Sequence, residues 1–298
     1  MSDAWVAIQR NPISGKGDRA ALILDLVQHL KQQGIRPRLF SNRERMQEYV
    51  AERIQTTPPE CIVAAGGDGT VQDVVNRYPD QRIAVLPLGT ENLLARYLGI
   101  PKSGAFVAEM IKQGASREID VCQLNQRKFV LMASIGFDAA VVENLAQVRR
   151  GNISYLSYLK PVLRTLYDYP FESLLISLDD GASEETAYHA IVVNIPAYGL
   201  NLNFSPDAVD HDGMLDLILF RKRGIISMLL YLWQIIRGTH LTSKYVQKIQ
   251  ARSIRIHSTR PVPIQTDGDA SGLTPAEIKV IPRALKLIVP CPIQTIEA

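Results

Sequence analysis

Cysteine is scarce. Cys61, Cys122 and Cys291 are the only three in 298 residues, far apart and without Cys-x-x-Cys spacing. That excludes a disulfide framework and a zinc ribbon and fits a reducing compartment. Excess charge is small: 33 Lys and Arg against 30 Asp and Glu, a net +3. This assists binding of phosphates or an anionic surface but is far too little to argue for nucleic acid. Two small basic clusters, Arg149–Arg150 and Arg221–Arg223, read as solvated turns. The five histidines, His29, His189, His211, His240 and His257, show no metal-ligand spacing. Long apolar runs are missing too. The longest, GIISMLLYLWQII over 224–236, has thirteen residues, too few to span a bilayer, and reads as a buried or interfacial helix. The first residues, MSDAWVAIQR, lack the basic-then-apolar layout of a secretion signal. There is no internal repeat, no GxxxxGK[ST] phosphate loop and no complete GxGxxG fingerprint. The expectation is a soluble, cytoplasmic chain.

What is present is globular: 46% hydrophobic and 21% charged residues. The length suits two domains of ordinary size. Over residues 1–117 short strand-like runs alternate with helical spacing: WVAIQR, then Ala21, Leu22, Leu26, Val27 and Leu30, with Asp18 as cap and Gly34 as stop. IRPRLF, CIVAAG and RIAVLPLG are further strands, with helices at 43–54, 70–77, 91–99 and 103–113. This predicts an α/β domain with a parallel sheet covered on both faces. From 118 to 298 the pattern becomes closely spaced extended runs, among them KFVLMASI, YHAIVVNI, GMLDLILF, EIKVIP and LKLIVP. Two longer helical segments interrupt them, at about 152–167 and 224–237. A β-sandwich or barrel-like second domain follows, its last strand expected to pack back toward the first domain.

The densest chemical signal is VAAGGDGTVQDVV at 63–75, a glycine cluster directly after a buried strand. Gly66, Gly67 and Gly69 bare the backbone, so that phosphate oxygens can approach its N–H groups at a helix N-terminus. Asp68 within the cradle repels a bare phosphate. It makes sense if a divalent cation lies between carboxylate and phosphate, or if it takes part in proton transfer. Thr70 offers one hydroxyl for the helix and the phosphate. Two more loops fall at the same end of the sheet. NPISGKGD brings Asn11, Ser14, Gly15 and Lys16; PLGTENLLAR brings Gly89, Thr90 and Asn92.

These three segments, in this order and spacing, resemble the diacylglycerol kinase catalytic domain shared by bacterial lipid kinases, sphingosine kinases and ceramide kinases. The likeness continues through ASIGFDAAVVE (133–143), GNISYLSYLKPVLRTLY, FSPDAVDHDGMLDLILF (204–220) and QTDGDA (265–270). It covers nearly the whole chain. The resemblance implies a Mg²⁺- and ATP-dependent kinase, acting on a lipid hydroxyl at a membrane surface by peripheral contact. It implies an NAD kinase-like α/β domain, a β-rich lipid-substrate domain and a nucleotide site between the two. Asn11, Gly67, Thr70, Thr90 and Asn92 match nucleotide-binding positions and Asp68 the loop aspartate needed for Mg²⁺–ATP. Asp269 falls at the position of the general base, with Asp267 arranging the site. Asp212, with backbone carbonyls at Val209 and Met214, matches a structural Mg²⁺ site of bacterial members. A homodimer is compatible with this reading.

Two positions depart from the family pattern. Asp-Gly-Asp stands at 267–269 where Asp-Gly-Glu is usual, and Leu93 follows Asn92 where an aspartate is common. The shorter Asp269 withdraws its carboxylate by about 1.5 Å, one C–C bond. Two other readings stay open: an NAD kinase-like small-molecule kinase, since GGDGT is shared with NAD kinases and phosphofructokinases, and a nucleotide-binding regulator that has lost catalysis. The helix at 224–237, flanked by Arg221, Lys222, Arg223 and Arg237, reads as core by composition, and is the candidate surface for a lipid interface.

Overall fold

The computed structural model describes residues 4–11, 19–148, 169–197, 199 and 202–291. The chain divides into two compact units, Met1–Ile119 with Arg283–Ala298, and Asp120–Pro282.

Unit 1 is an α/β layer structure. Its elements are β1 (Trp5–Arg10), α1 (Arg19–Gln32), β2 (Arg36–Phe40), α2 (Arg43–Arg53), β3 (Ile62–Gly66), α3 (Asp68–Arg77), β4 (Ile83–Pro87), α4 (Leu93–Tyr97) and α5 (Gly104–Gln113). The strands pair in parallel in the order β2-β1-β3-β4. β3 and β4 are buried at every position, as strands covered on both faces must be. The order places the switch point between β1 and β3: the chain moves outward from β1 to β2, then returns to the other side of β1. Crevices for ligands form at the carboxyl ends of strands flanking such a point. Helix α1 turns Ile23, Leu26 and Leu30 inward and stops at Gly34, whose φ is +78°. It packs on α5 at Gly104, where an added Cβ would lie 2.3 Å from the Leu26 nitrogen. Asp25 accepts the Ala105 N–H at 2.8 Å, so α1 also caps α5.

Unit 2 is a β-sandwich. Its elements are β5 (Ser116–Leu124, whose first residues belong to unit 1), β6 (Arg127–Phe129), β7 (Met132–Ile135), α6 (Phe137–Val148), β8 (Leu174–Leu178), β9 (Ser183–Ala187), β10 (His189–Val193), β11 (Leu215–Phe220), α7 (Ile225–Ile236), β12 (Val246–Ala251), β13 (Ser253–Ser258), β14 (Pro263–Thr266), β15 (Asp269–Leu273) and β16 (Ala276–Ile288). One sheet runs β12-β11-β10-β7-β14-β15. In the other layer β13 pairs with β8 and with the first half of β16, β8 with β9, and β5 with β6. Between the layers lies one apolar cluster, with Phe129, Leu174, Ile176, Ile254 and Ile278 from one side and Ile135, Val192, Leu217 and Ile264 from the other.

Several elements differ from the sequence expectation. EIKVIP and LKLIVP are one continuous strand, β16, whose far end pairs in parallel with β4 through Leu287 and Ile83. Helix α6 and the polar strands β9, β12 and β15 carry little periodic signal and were not expected. Helix α4 is one turn over Leu93–Tyr97 rather than a helix from 91. Arg221 belongs to a built contact, with Glu185 at 2.5 Å, rather than a solvated turn. The expected helix at 152–167, the capping Asp18 and the Arg149–Arg150 cluster lie outside the described residues.

His189 on β10 is buried, and burial lowers its pKa to about 4 although the nearby Asp138 raises it. A histidine depressed below its unfolded value of 6.5 leaves the unfolded state binding more protons between the two values. Urea midpoints should therefore fall as pH is lowered from 6.5 toward 4. His189→Gln should flatten that fall.

Candidate active site

In unit 1 the two glycine loops are built as one object. Strands β3 and β4 run side by side with Gly66 opposite Pro87, and the Leu88 N–H donates to the Gly66 carbonyl at 2.9 Å. Beyond the strand ends the loops touch backbone to backbone. A Cβ on Gly89 would stand 2.5 Å from the Gly67 Cα, and one on Gly67 would stand 3.2 Å from the Gly89 Cα. At Gly66 a Cβ would meet the Thr70 Oγ1 at 2.1 Å. These glycines are therefore demanded first by packing.

Asn92 fixes the second loop. Its backbone is left-handed (φ 50°, ψ 53°), a conformation asparagine tolerates. Its side chain accepts the Gly89 N–H at 2.7 Å and donates to the Gly89 carbonyl at 2.8 Å. Lys102 donates to the same carbonyl at 3.1 Å. Asn92 is 4% exposed, and its side chain shapes the loop from within. Sequence reasoning gave it a nucleotide contact and had no signal for this role.

Asp68 sits at the join. It opens α3, whose N-cap is Gly67 and whose N-terminus no side chain caps. Its carboxylate accepts the Leu94 N–H at 3.5 Å, which ties α4 to the first loop. Burial raises the pKa of Asp68, and the backbone N–H groups of Leu94 and Leu93 oppose the rise. Thr70 is buried, and its hydroxyl has no hydrogen-bond partner. An uncapped helix N-terminus, an unpartnered hydroxyl and a partly desolvated carboxylate fit a phosphate group carried with a hard cation. Gly69 and Thr90 are exposed, as is Asn11 at the end of β1, whose N–H reaches the Ala65 carbonyl at 3.4 Å. Ser14, Gly15 and Lys16 lie outside the described residues.

In unit 2 the Asp-Gly of QTDGDA is the two-residue turn between β14 and β15, with Thr266 paired to Asp269. Both turn residues have positive φ, 51° at Asp267 and 85° at Gly268, as a type I′ turn requires. The Asp267 carboxylate accepts the N–H groups of Val130, Leu131 and Met132 at 2.8, 2.9 and 3.0 Å. Asp269 is different: about half-exposed, with Arg127 at 3.5 Å. Gln265 carries a role that the sequence motif does not mark. Its fully buried amide donates to Asp138 at 3.2 Å and accepts the Gly268 N–H at 2.8 Å, tying the turn to the start of α6. Asp138 also receives the Ser134 hydroxyl at 2.6 Å. The residue type two places before Asp267 was the available signal.

Asp212 and Met214 are brought together by their turn, where Asp212 Oδ1 accepts the Met214 N–H at 2.9 Å. Val209 is 42% exposed. The turn is anchored by Asp120, which accepts the Gly213 N–H at 2.7 Å. Among the described residues no group of three or more His, Cys, Asp or Glu is arranged to hold a metal ion. The expected set of one carboxylate and two carbonyls is of another kind.

Residues 6–124 match the diacylglycerol kinase catalytic domain, and residues 131–289 match the YegS C-terminal NAD kinase beta sandwich-like domain. The chain belongs to the bacterial diacylglycerol kinase family of lipid kinases. A diacylglycerol kinase of Bacillus subtilis (strain 168) is 25% identical to it over 236 residues, covering 78% of each chain. A diacylglycerol kinase of Mycobacterium tuberculosis (strain ATCC 25618 / H37Rv) is 24% identical over 94% of this chain and 93% of its own. A crystal structure of a diacylglycerol kinase from Bacillus anthracis str. Sterne shares the fold, with a TM-score of 0.73 over 97% of both chains at 24% identity. Membership of a kinase family implies use of ATP, and it places the GGDGT loop in the catalytic domain.

Two outcomes follow from the loop geometry. Gly89→Ala should lower stability by roughly 1–3 kcal/mol through overpacking, a drop of a few degrees in melting temperature. Asp68→Asn should behave oppositely. Because the folded-state pKa is raised, the ionised Asp68 costs stability, and this cost sets in as pH rises from 3.8 through the raised value. The variant should match the parent in acid and exceed it at neutral pH in denaturant melts.

Proposed function

We propose that this protein is an ATP-dependent lipid kinase that transfers the γ-phosphoryl group of ATP to the hydroxyl of a diacylglycerol-like lipid alcohol. The observation that carries the reading is the joined pair of loops, Gly66–Thr70 and Gly89–Asn92, which hold one partly desolvated carboxylate at an uncapped helix N-terminus. Phosphoryl transfer asks the protein mainly for positioning and for charge stabilisation. The α3 N-terminus, with the Thr70 hydroxyl, receives phosphate oxygens. Asp68 would hold Mg²⁺, which neutralises phosphate charge when bound.

Asp269 takes the proton of the acceptor hydroxyl. It is the candidate because its carboxylate is half-exposed, whereas that of Asp267 is occupied by three backbone N–H groups. Asp267 and Gln265 set the turn that presents it. The diacylglycerol kinases of Bacillus subtilis and Mycobacterium tuberculosis support the choice of lipid alcohol as acceptor.

The test is transfer of label from γ-labelled ATP with Mg²⁺ to mixed micelles carrying diacylglycerol, monoacylglycerol, ceramide or sphingosine, beside a reaction with NAD. Label should appear in a lipid and vanish with Asp68→Ala. Asp269→Ala should lower turnover by about 10²–10⁴-fold, the usual share of a general base, while Asp269→Glu retains it. Label in NADP instead, or bound ATP with no transfer to any acceptor, overturns the proposal.

A further inference from the structure

Helix α7 stands on unit 2 by one face only. Ile225 and Met228 pack on Ala140, Tyr169 and Phe171, and Tyr231 and Ile235 are buried. The Tyr231 hydroxyl accepts the Lys222 N–H at 3.0 Å, and its ring meets Phe220 edge-on with centroids 4.9 Å apart. The other face is apolar and open: Ile226 is 85% exposed, Leu229 50%, Leu230 46%, Leu232 46%, Trp233 51% and Ile236 65%. Their spacing is helical, so they form one stripe. A stripe of six large apolar side chains facing water marks an interaction surface.

The charges around it select the partner. From Leu217 to Thr266 the sequence has no Asp or Glu and nine Lys and Arg, of which Arg221, Lys248, Arg255 and Arg260 pair with carboxylates from elsewhere in the chain. Lys222 and Arg223 stand exposed just before the helix, and Arg237 just after it with its guanidinium over the Trp233 ring, 4.8 Å from the centroid. An apolar stripe that includes an aromatic, with cations at both ends, is the pattern of a helix lying in a lipid interface. At twelve residues the helix is about 18 Å long and cannot cross a bilayer. A second copy would also cover the stripe, but a two-fold contact between like helices would bring these cations against one another.

We infer that α7 docks this protein onto an anionic bilayer surface, with Ile226, Leu229, Leu230, Trp233 and Ile236 entering the acyl boundary and Lys222, Arg223 and Arg237 meeting lipid phosphates. The choice of a lipid surface rests in part on the lipid-kinase reading, which puts the acceptor in a membrane.

Trp233 reports on this directly, because the other tryptophan, Trp5, is buried at 6% exposure. With phosphatidylglycerol–phosphatidylcholine vesicles, Trp233 emission should shift to the blue and be quenched by brominated acyl chains. Trp233→Phe should remove the signal while binding persists in cosedimentation. Leu229→Asn with Ile236→Asn should weaken vesicle binding by at least about tenfold, and 0.5 M salt should weaken it further. The double variant should keep its activity on a short-chain, water-soluble diacylglycerol and lose it on long-chain diacylglycerol in vesicles. Absence of any Trp233 response at every phosphatidylglycerol content overturns the inference. So does a concentration-dependent dimer that buries Trp233 without vesicles. If no acceptor is phosphorylated even by the parent protein, the kinase reading fails alone, and the Trp233 signal still decides the docking.

Discussion

The contact between the Gly67 and Gly89 backbones is the constraint on which the candidate site depends. Two parallel strands are held at a fixed spacing by their ladder, and the loops leaving them must either splay or touch. Here they touch, so closely that a Cβ on Gly89 would stand 2.5 Å from the Gly67 Cα. Everything nearby follows from that approach. Thr70 closes over Gly66, Asn92 takes a left-handed backbone to clasp Gly89, and Leu94 is brought within reach of Asp68. The bare backbone that can admit a phosphate is thus also, at Gly66 and Gly89, what lets the loops close.

The aspartates of the family motifs, and Asp120 beside them, divide their work by how their lone pairs are spent. Asp267 and Asp120 give theirs to backbone N–H groups and hold turns in place. Asp212 accepts one such N–H from its own turn. Asp68 is partly desolvated against its preference, and Asp269 stays open to its surroundings. A carboxylate kept in a place that raises its pKa costs stability, and such costs concentrate where chemistry is done.

Much of this was legible. Buried parallel strands are near-continuous apolar runs, so β1, β3 and β4 stood out in the sequence. Glycine clusters after such runs marked the loops, and the family motifs marked both halves of the chain. What was hidden had physical reasons. The clasp of Asn92 on Gly89 is one such feature, since a side chain that bonds its own loop leaves the same letters as one that bonds a ligand. Helix α6 and the strands β9, β12 and β15 have weak periodicity. The apolar run of α7 was legible as a helix, but composition cannot say which face is covered. The covered face is set by tertiary neighbours, Phe220 against Tyr231 and Ala140, Tyr169 and Phe171 against Ile225 and Met228.

Strand β16 spans both units: Ala276–Lys279 pair with β13, and Leu287 pairs with Ile83 of β4. On the ribosome, Arg283–Ile288 are made some two hundred residues after β4. Until then the outer edge of β4 has no partner from β16. Unit 1 is completed only by residues that follow the whole of unit 2. A fragment cut at the apparent boundary near residue 119 would carry that open edge permanently, and an unpaired edge strand is an invitation to aggregate.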